Sequence, residues 1–232
     1  MKKYPSPKPE HLKFAVLATD VVLFSLRDGE LVVRLIAVDR PPAFPAGSKG
    51  FPGGLIRPTE TAEEAAVRII KDKAGVSEKK LYIEQLRTFS AVNRDPRGRV
   101  VSVSYLAMVP WEKLSEKERK DTPESWWAKV GDAKPLSYDH DEMLFEALKR
   151  LRSRVSYTTL IQKLMPKEFT LGMLEKAYEE ILGVPQDKRN FRKKIAKIKV
   201  LKELSEKQTG EPYRPAQLYK FASETIKDIE II

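Results

Sequence analysis

A helical segment bounded by glycines, residues 53–76, constrains the fold of this chain more than any other feature. Phe51 and Pro52 precede it, Gly53 and Gly54 begin it, and Gly75 follows its last helical residue. The pattern predicts a helix from Glu60 to Ala74 with Thr59 as its N-cap and Gly75 as its C-terminal stop. Charged residues recur every fourth position, at 60, 64, 68 and 72. Taken alone, that spacing also describes ion pairs on a solvated helix face.

The same segment resembles the Nudix box, G-x5-E-x7-R-E-U-x-E-E-x-G-U, in which U is bulky and apolar. The positions in register are Gly54, Glu60, Arg68, Ile70, Gly75 and Val76. The three positions that hold a divalent metal in the family are occupied by Ile69, Asp72 and Lys73, so only one of them is acidic. The resemblance implies a Nudix fold in which Glu60, Arg68, Ile69, Asp72 and Lys73 form a degenerate box without catalytic residues.

The altered box predicts ligand binding without cleavage. Hydrolysis of a pyrophosphate needs a divalent ion that neutralises its oxygens and activates water, and Mg²⁺ takes hard oxygen ligands. Ile69 has no ligating atom, and Lys73 places a cation where a metal would bind. Lys73 would instead pair with a ligand phosphate, so we expect no required cofactor and no metal site. The alternative is a weak Mg²⁺ site formed by Glu60, Glu64 and Asp72.

A second segment, residues 88–99, resembles the matching part of ADP-ribose pyrophosphatases and their regulatory relatives, as do residues 39–44 and 138–140. Guanidinium forks suit bidentate contact with a diphosphate, and aromatic faces suit an adenine ring. The candidate ligand-binding residues are Arg40, Phe44, Phe51, Lys73, Arg94, Asp95, Arg97, Arg99 and His140. Three alternatives stay open: a plain hairpin turn at 95–99, a core position for Phe51, and a cap or core hydrogen bond for His140.

Composition narrows the function classes. The chain has 232 residues, which suits two small domains or one large one, and no cysteine, which excludes disulfides, thiolate zinc sites and a cysteine nucleophile. No apolar run approaches the roughly 20 residues of a membrane span, and the N-terminus lacks the apolar core of a signal peptide. We therefore expect a cytoplasmic protein without a membrane partner. The net charge of +10 favours a polyanionic partner, either nucleic acid or a phosphorylated ligand.

Apolar periodicity divides the chain into two parts, residues 1–152 and 153–232. The first part has strand patterns at 14–26, 31–39, 81–91, 99–110 and 126–135, a loop at 41–54, a loop or short helix at 112–125, and a helix at 139–154. With the box, this order implies an α/β fold, the Nudix α/β/α sandwich with a mixed sheet. The second part has helix patterns at 157–164, 170–182 and 187–198, then strand patterns at 200–204 and 217–221. Three helices before a hairpin are typical of a winged helix-turn-helix domain.

The third helix of the second part is strongly basic. Residues 188–202 contain no acid, and Phe191, Ile195 and Ile198 have the spacing of a core-facing stripe. Such a helix fits the major groove, where Arg reads guanine, Asn190 reads adenine or binds the backbone, and lysines contact phosphate. The candidate DNA-binding residues are Lys188, Arg189, Asn190, Arg192, Lys193, Lys194 and Lys197 on the helix and Lys207, Tyr213 and Arg214 on the wing. Taken alone, the helix fits a solvated basic surface equally well.

Residues 188–194 and 215–221 resemble the C-terminal domain of Nudix-related transcriptional regulators of the NrtR type, so the resemblance covers nearly the whole chain. Members typically repress genes of NAD or sugar metabolism, and the NAD-linked members bind ADP-ribose or related nucleotides and dimerise. The resemblance implies a homodimeric repressor that binds a double-stranded DNA operator and senses ADP-ribose, a related nucleotide or a sugar phosphate. The first alternative is an active Nudix ADP-ribose pyrophosphatase with an accessory basic domain. An RNA-associated Nudix protein is a weaker one, since a winged helix more often serves duplex DNA.

Overall fold

The central strand is β1 (Val16–Arg27) in the part of the chain that the computed structural model describes, residues 14–208 and 216–229. Residues 18–26 of this strand are all buried, which is why they are mostly apolar instead of alternating. β1 pairs in parallel with β6 (Val100–Met108) and antiparallel with β2 (Glu30–Arg40), so the sheet is mixed, as predicted.

Four further strands complete this sheet: β3 (Phe44–Gly50), β4 (Gly53–Leu55), β5 (Tyr82–Phe89) and β7 (Ser125–Lys129). The order is β3-β2-β1-β6-β5, with β4 beside β1 and β7 beside β2. Residues 41–54 therefore contain two strands where the sequence predicts a loop. That prediction is wrong because backbone pairing with β2 and β1 overrides the low strand preference of glycine and proline.

Helices cover both faces of the sheet. They are α1 (Ala62–Ile69), α2 (Glu116–Arg119) and α3 (His140–Tyr157). On one face, Ala66 of α1 packs with Val21 and Leu23 of β1. On the other face, Met143 of α3 packs with Val22. Alternate residues of β1 thus serve two cores, and the predicted α/β/α sandwich is confirmed.

Helix α1 begins two residues later than its pattern predicts. Thr61, not Thr59, is the N-cap: its side-chain oxygen accepts from the Glu64 backbone N–H at 3.2 Å, and the Glu64 carboxylate accepts from the Thr61 N–H at 2.7 Å. This reciprocal capping box satisfies two helix-end donors at once, which Thr59 cannot do. The helix ends in a π-helical turn over Ile70–Ala74, and Gly75 stops it with a φ of 71°, as predicted.

The C-terminal region has the predicted winged-helix order. Its elements are β8 (Phe169–Thr170), α4 (Leu171–Leu182), α5 (Lys188–Ile198), β9 (Leu201–Gln208) and β10 (Ala216–Phe221), and the three strands form a sheet in the order β8-β10-β9. The predicted first helix at 157–164 is instead a 3-10 turn over Thr159–Lys163. Helix α3 extends to Tyr157, and the extended backbone of Thr158 ends it, which leaves too few residues for a separate α-helix.

The two parts of the chain share one core. A continuous apolar cluster includes Met143 and Leu151 of α3 together with Leu174 and Tyr178 of α4 and Phe191 of α5. The predicted division between residues 152 and 153 falls inside α3, and the domain limits stay a prediction. Among the described residues, no helix is long and apolar enough to cross a membrane.

Candidate ligand site and nucleic-acid interface

Asp20 of β1, which the sequence analysis missed, is the centre of a buried polar network at one end of the sheet. Its carboxylate accepts from Ser102 Oγ at 2.7 Å and from Arg94 Nη2 at 3.2 Å, and it lies 3.6 Å from Nε2 of His140. Burial raises the pKa of Asp20, but His140, Ser102 and Arg94 outweigh it and lower the pKa to about 2. The network holds an ionised carboxylate below the candidate site.

Arg94 is engaged in this network and does not face a ligand. Its side chain is 3% exposed, and it forms a bidentate ion pair with Asp139, with both N–O distances at 2.8 Å. Asp139 directly precedes α3, so Arg94 joins the 90–99 segment and β1 to the start of that helix. The expectation that Arg94 holds a diphosphate is corrected, because the side chain is buried and its Nε and Nη2 donors already bond two carboxylates.

Phe51 and His140 are also structural. Phe51 is 1% exposed, its ring stacks on His140 at 5.3 Å between centroids, and its backbone N–H donates to His140 Nδ1 at 2.9 Å. His140 is 3% exposed. The alternatives of a core phenylalanine and a core hydrogen-bonding histidine describe the structure, and neither side chain offers a surface to a ligand.

A mixed aromatic and cationic rim lies above this buried floor. Phe44 and Tyr138 are half-buried, with ring centroids 4.3 Å apart, and the Arg97 guanidinium lies 5.9 Å from the centre of the Tyr138 ring. Burial raises the pKa of Tyr138, and the Arg97 and Arg40 guanidinium groups oppose this effect. The structure thus brings together Arg40, Phe44 and Arg97 from the predicted set. It adds Tyr138, which the sequence analysis did not select.

Asp95 and Arg99, two other predicted residues, bond to the segment that carries Arg97. Asp95 is buried and pairs with Arg97, with Nη2–Oδ2 and Nε–Oδ1 distances of 2.6 and 2.9 Å. This pair lowers the pKa of Asp95 against the effect of burial. Arg99 donates to the backbone carbonyls of Ser90 and Ala91 at 2.9 and 3.2 Å. Asp95 thus positions Arg97, whereas Arg99 closes the 90–99 segment on itself.

Lys73 reaches the same region from the π-helical turn. Its ammonium donates to the Gly53 carbonyl. Desolvation lowers the pKa of Lys73, and the nearby guanidinium of Arg40 adds to this effect, as do those of Arg68 and Arg97. These side chains create a concentrated positive field, which suits a polyanionic ligand.

The carboxylates of the box are used within the fold. Both oxygens of Glu60 accept from Arg68, at 2.8 and 2.5 Å, and this pair lowers the pKa of Glu60. Glu64 belongs to the capping box, and Asp72 is exposed. Ile69 is fully buried. In residues 14–208 and 216–229 no three acidic, histidine or cysteine side chains are grouped to hold a metal, and the alternative Mg²⁺ site at Glu60, Glu64 and Asp72 stays a prediction.

Helix α5 places its basic residues on one exposed surface. Phe191 and Ile195 are buried, and the Phe191 ring packs edge-on against Tyr178 at 5.3 Å. Asp187 caps the helix by accepting from the Asn190 N–H at 2.7 Å. The exposed residues of the helix include every predicted DNA-binding residue there: Lys188, Arg189, Asn190, Arg192, Lys193, Lys194 and Lys197. On the wing, Tyr213, Arg214 and the side chain of Lys207 lie outside the described residues.

A Nudix domain with an altered metal box and a C-terminal winged helix define the class of protein. The family model of the Nudix domain matches residues 16–147, and that of the NrtR DNA-binding winged helix domain matches residues 161–221. The chain therefore belongs to the NrtR family of Nudix-related transcriptional regulators, and the resemblance seen in the sequence is confirmed.

Individual relatives agree with this membership. The chain is 31% identical over 223 residues to the ADPR responsive transcriptional repressor NtrR of Acinetobacter baylyi, which covers 94% of this chain and 84% of that protein. The crystal structure of Shewanella oneidensis NrtR complexed with a 27mer DNA superimposes with a TM-score of 0.76 at 31% identity, covering 88% of this chain and 93% of that chain. An ADP-ribose pyrophosphatase of Methanocaldococcus jannaschii is 31% identical over 103 residues, 44% of this chain and 59% of that protein.

Proposed function

We propose that this chain is a transcriptional repressor that binds operator DNA through α5 and releases it when ADP-ribose or a related nucleotide occupies the Nudix domain. The observation that carries the proposal is the combination of two cationic surfaces in one molecule. One is the exposed basic face of α5, and the other is the rim formed by Arg40, Lys73 and Arg97. The relative from Acinetobacter baylyi is named as an ADPR responsive repressor, and the Shewanella oneidensis relative was crystallised with DNA.

We also propose that the site binds its ligand without hydrolysing it and needs no metal. Ile69 is an apolar core residue at a metal-ligand position, and Lys73 brings an ammonium to another. A cation at that place repels a divalent ion and attracts a phosphate. The expected homodimer, cytoplasmic location and control of NAD or sugar metabolism genes belong to the same proposal and rest on family membership.

The mechanism we propose is a thermodynamic linkage between the two sites. If ligand weakens DNA binding by a given factor, DNA must weaken ligand binding by the same factor. A palindromic operator with half-sites one helical turn apart would match a two-fold symmetric dimer. Equal ligand affinity with and without operator DNA would contradict this mechanism.

Fluorescence anisotropy tests the proposal directly. A labelled duplex from the region upstream of the gene is titrated with protein at fixed salt, with and without ADP-ribose, and a shuffled duplex of equal length is the control. Selective binding that ADP-ribose reverses is the expected result. Selective binding that ignores ADP-ribose would exclude it as the effector. Weak binding that is equal on both duplexes and strongly salt-dependent would contradict the repressor function.

An ADP-ribose pyrophosphatase is the second candidate function. The similarity to the Methanocaldococcus jannaschii enzyme and the retained Glu60–Arg68 ion pair favour it. Incubation with ADP-ribose and Mg²⁺ or Mn²⁺, followed by chromatography for AMP, decides between the two. Turnover that is removed by Glu60→Gln would support the enzyme, and an absence of AMP above the protein-free control would support a binding site.

A further inference from the structure

Tyr138 has a backbone conformation that aromatic residues rarely adopt. Its φ is 59°, in the left-handed region, and the other described non-glycine residues with positive φ are Asp28 in a hairpin turn and Lys199 at a helix end. Bulky side chains avoid this region, and residues held there tend to cluster at ligand-binding sites. The surroundings of Tyr138 must therefore fix it in place.

The Tyr138 side chain contacts residues of both the rim and the buried floor. Its ring packs on Phe44 at 4.3 Å and lies 5.3 Å from the His140 ring, and the Arg97 guanidinium is 5.9 Å from its centre. Burial raises the pKa of Tyr138, and Arg40, which interacts electrostatically with its hydroxyl, lowers it. One side chain thus sets the relative positions of an aromatic ring and two cations.

The resulting surface has two chemically different parts. Phe44, backed by Tyr138, is apolar and flat, and it is only half-buried. Arg40, Arg97 and Lys73 are cationic. Desolvation has the largest effect in lowering the pKa of Lys73, and both guanidinium groups lower it further. A nucleotide presents a flat aromatic base beside a diphosphate, so it uses both parts. A sugar phosphate has no base and uses only the cationic part.

We propose that Tyr138 is the positioning residue that makes this site select nucleotides with an aromatic base over sugar phosphates without one. The base packs on Phe44, whose orientation the Tyr138 ring maintains, while Arg40, Arg97 and Lys73 contact the phosphates. This inference rests on the proposed ligand-sensing function and specifies its ligand class.

The test compares two ligands on the full-length chain and three variants. ADP-ribose affinity is measured by calorimetry, and ribose 5-phosphate affinity by displacement of ADP-ribose, so that weak binding still yields a ratio. Tyr138→Gly removes the ring and accommodates the left-handed backbone. Tyr138→Phe keeps the ring and removes the hydroxyl. Phe44→Leu removes the aromatic face directly. It replaces Tyr138→Gly in the test if that variant does not fold.

We expect Tyr138→Gly and Phe44→Leu to lower the preference for ADP-ribose roughly tenfold, the scale of one base stacked on an aromatic side chain. Tyr138→Phe should keep that preference, because it keeps the ring that packs on Phe44. Equal losses for both ligands in Tyr138→Gly and Phe44→Leu would overturn the inference and leave the ligand-sensing function standing. A wild-type chain that binds neither ligand while binding operator DNA selectively would overturn this inference together with the nucleotide effector.

Discussion

At the residue scale, burial separates side chains that share a sequence motif. Arg94 and Arg97 are three positions apart in one segment, yet the first is 3% exposed and tied to two carboxylates, whereas the second is 46% exposed and lines the rim. Both arginines suit a diphosphate by residue type. The sequence does not reveal which of them already forms an ion pair within the fold. The sequence does contain a signal for Asp20, since a single carboxylate in a mostly apolar strand needs a buried partner.

Loss of Arg94 should destabilise the fold strongly. Arg94→Ala leaves Asp20 and Asp139 facing each other without their shared cation, and breaking a buried ion pair in this way costs about 3–5 kcal/mol. Denaturant unfolding monitored by circular dichroism measures the change. Lys129→Ala is the control, because its ion pair with Glu30 is exposed on both sides and such pairs contribute little to stability. Similar losses in both variants would contradict a structural role specific to Arg94.

The same network predicts a loss of stability in acid. The pKa of Asp20 is about 2 in the folded chain, below its ordinary value of 3.8, so ionisation of Asp20 stabilises the fold above about pH 4. That contribution, about 2 kcal/mol, should disappear as the pH falls from about 4 to about 2. Unfolding free energies of wild type and Asp20→Asn, measured from pH 6 downwards, should converge over this interval. A difference that does not change with pH would contradict the assignment.

At the element scale, the sequence predicts most helices and strands. The errors are several element ends, the loop predicted at 41–54 and the helix predicted at 157–164. Two threonines precede α1, and only Thr61 has a glutamate at the third helical position. The capping-box rule therefore predicts the correct start of α1, whereas the choice of Thr59, the first threonine, does not. The replacement of a predicted helix by the turn over Thr159–Lys163 was not predictable, because it depends on how far α3 extends.

The N-cap of α1 gives a small and specific prediction. Thr61→Ala should lower the free energy of unfolding by about 1 kcal/mol, because the Glu64 N–H loses its acceptor. Thr59→Ala changes the same residue type two positions earlier, at an exposed site outside the helix, and should have little effect. Chemical denaturation distinguishes the two variants, and a larger effect at Thr59 would contradict the assigned helix start.

Helix α5 predicts two kinds of DNA contact. Arg192→Ala should weaken operator binding by about 1–3 kcal/mol and reduce the preference over random DNA if Arg192 reads a base. Lys197→Ala should weaken binding to both sequences alike and flatten the dependence on salt concentration, as the loss of a phosphate contact does. Anisotropy titrations at several salt concentrations measure both effects. Equal losses on operator and random DNA for Arg192→Ala would assign it to the phosphates.

At the scale of the whole molecule, both parts were predicted from the sequence, but the contact between them was not. The hairpin formed by β1 and β2 contacts α4. The Lys176 ammonium donates to the Asp28 carbonyl at 2.9 Å, and Glu180 accepts from the Leu31 N–H at 3.0 Å. Arg152 of α3 donates to the Ile181 carbonyl at 2.9 Å. Such contacts pair side chains with distant backbone atoms, so no periodicity within either part reveals them.

Glu180 should therefore stabilise the attachment of the winged helix. Glu180→Ala leaves a partly buried Leu31 N–H without its acceptor, which costs about 1–3 kcal/mol. Glu180→Gln is the matched control, because its side-chain oxygen still accepts a hydrogen bond. Thermal unfolding and limited proteolysis of the full chain should show a loosened C-terminal region only in Glu180→Ala. Identical behaviour of the two variants would mean that this contact does not contribute.

Strand β2 begins at the contact with α4 and ends at the candidate ligand site. The Leu31 N–H at one end donates to Glu180. Arg40 at the other end interacts electrostatically with Tyr138, about 30 Å away for nine extended residues. A single-residue insertion would turn every later side chain of the strand to the opposite face of the sheet. The interactions at both ends thus fix the length of β2. In homologous regulators that keep both interactions, the residue types of this strand should vary, whereas the number of residues in it should not.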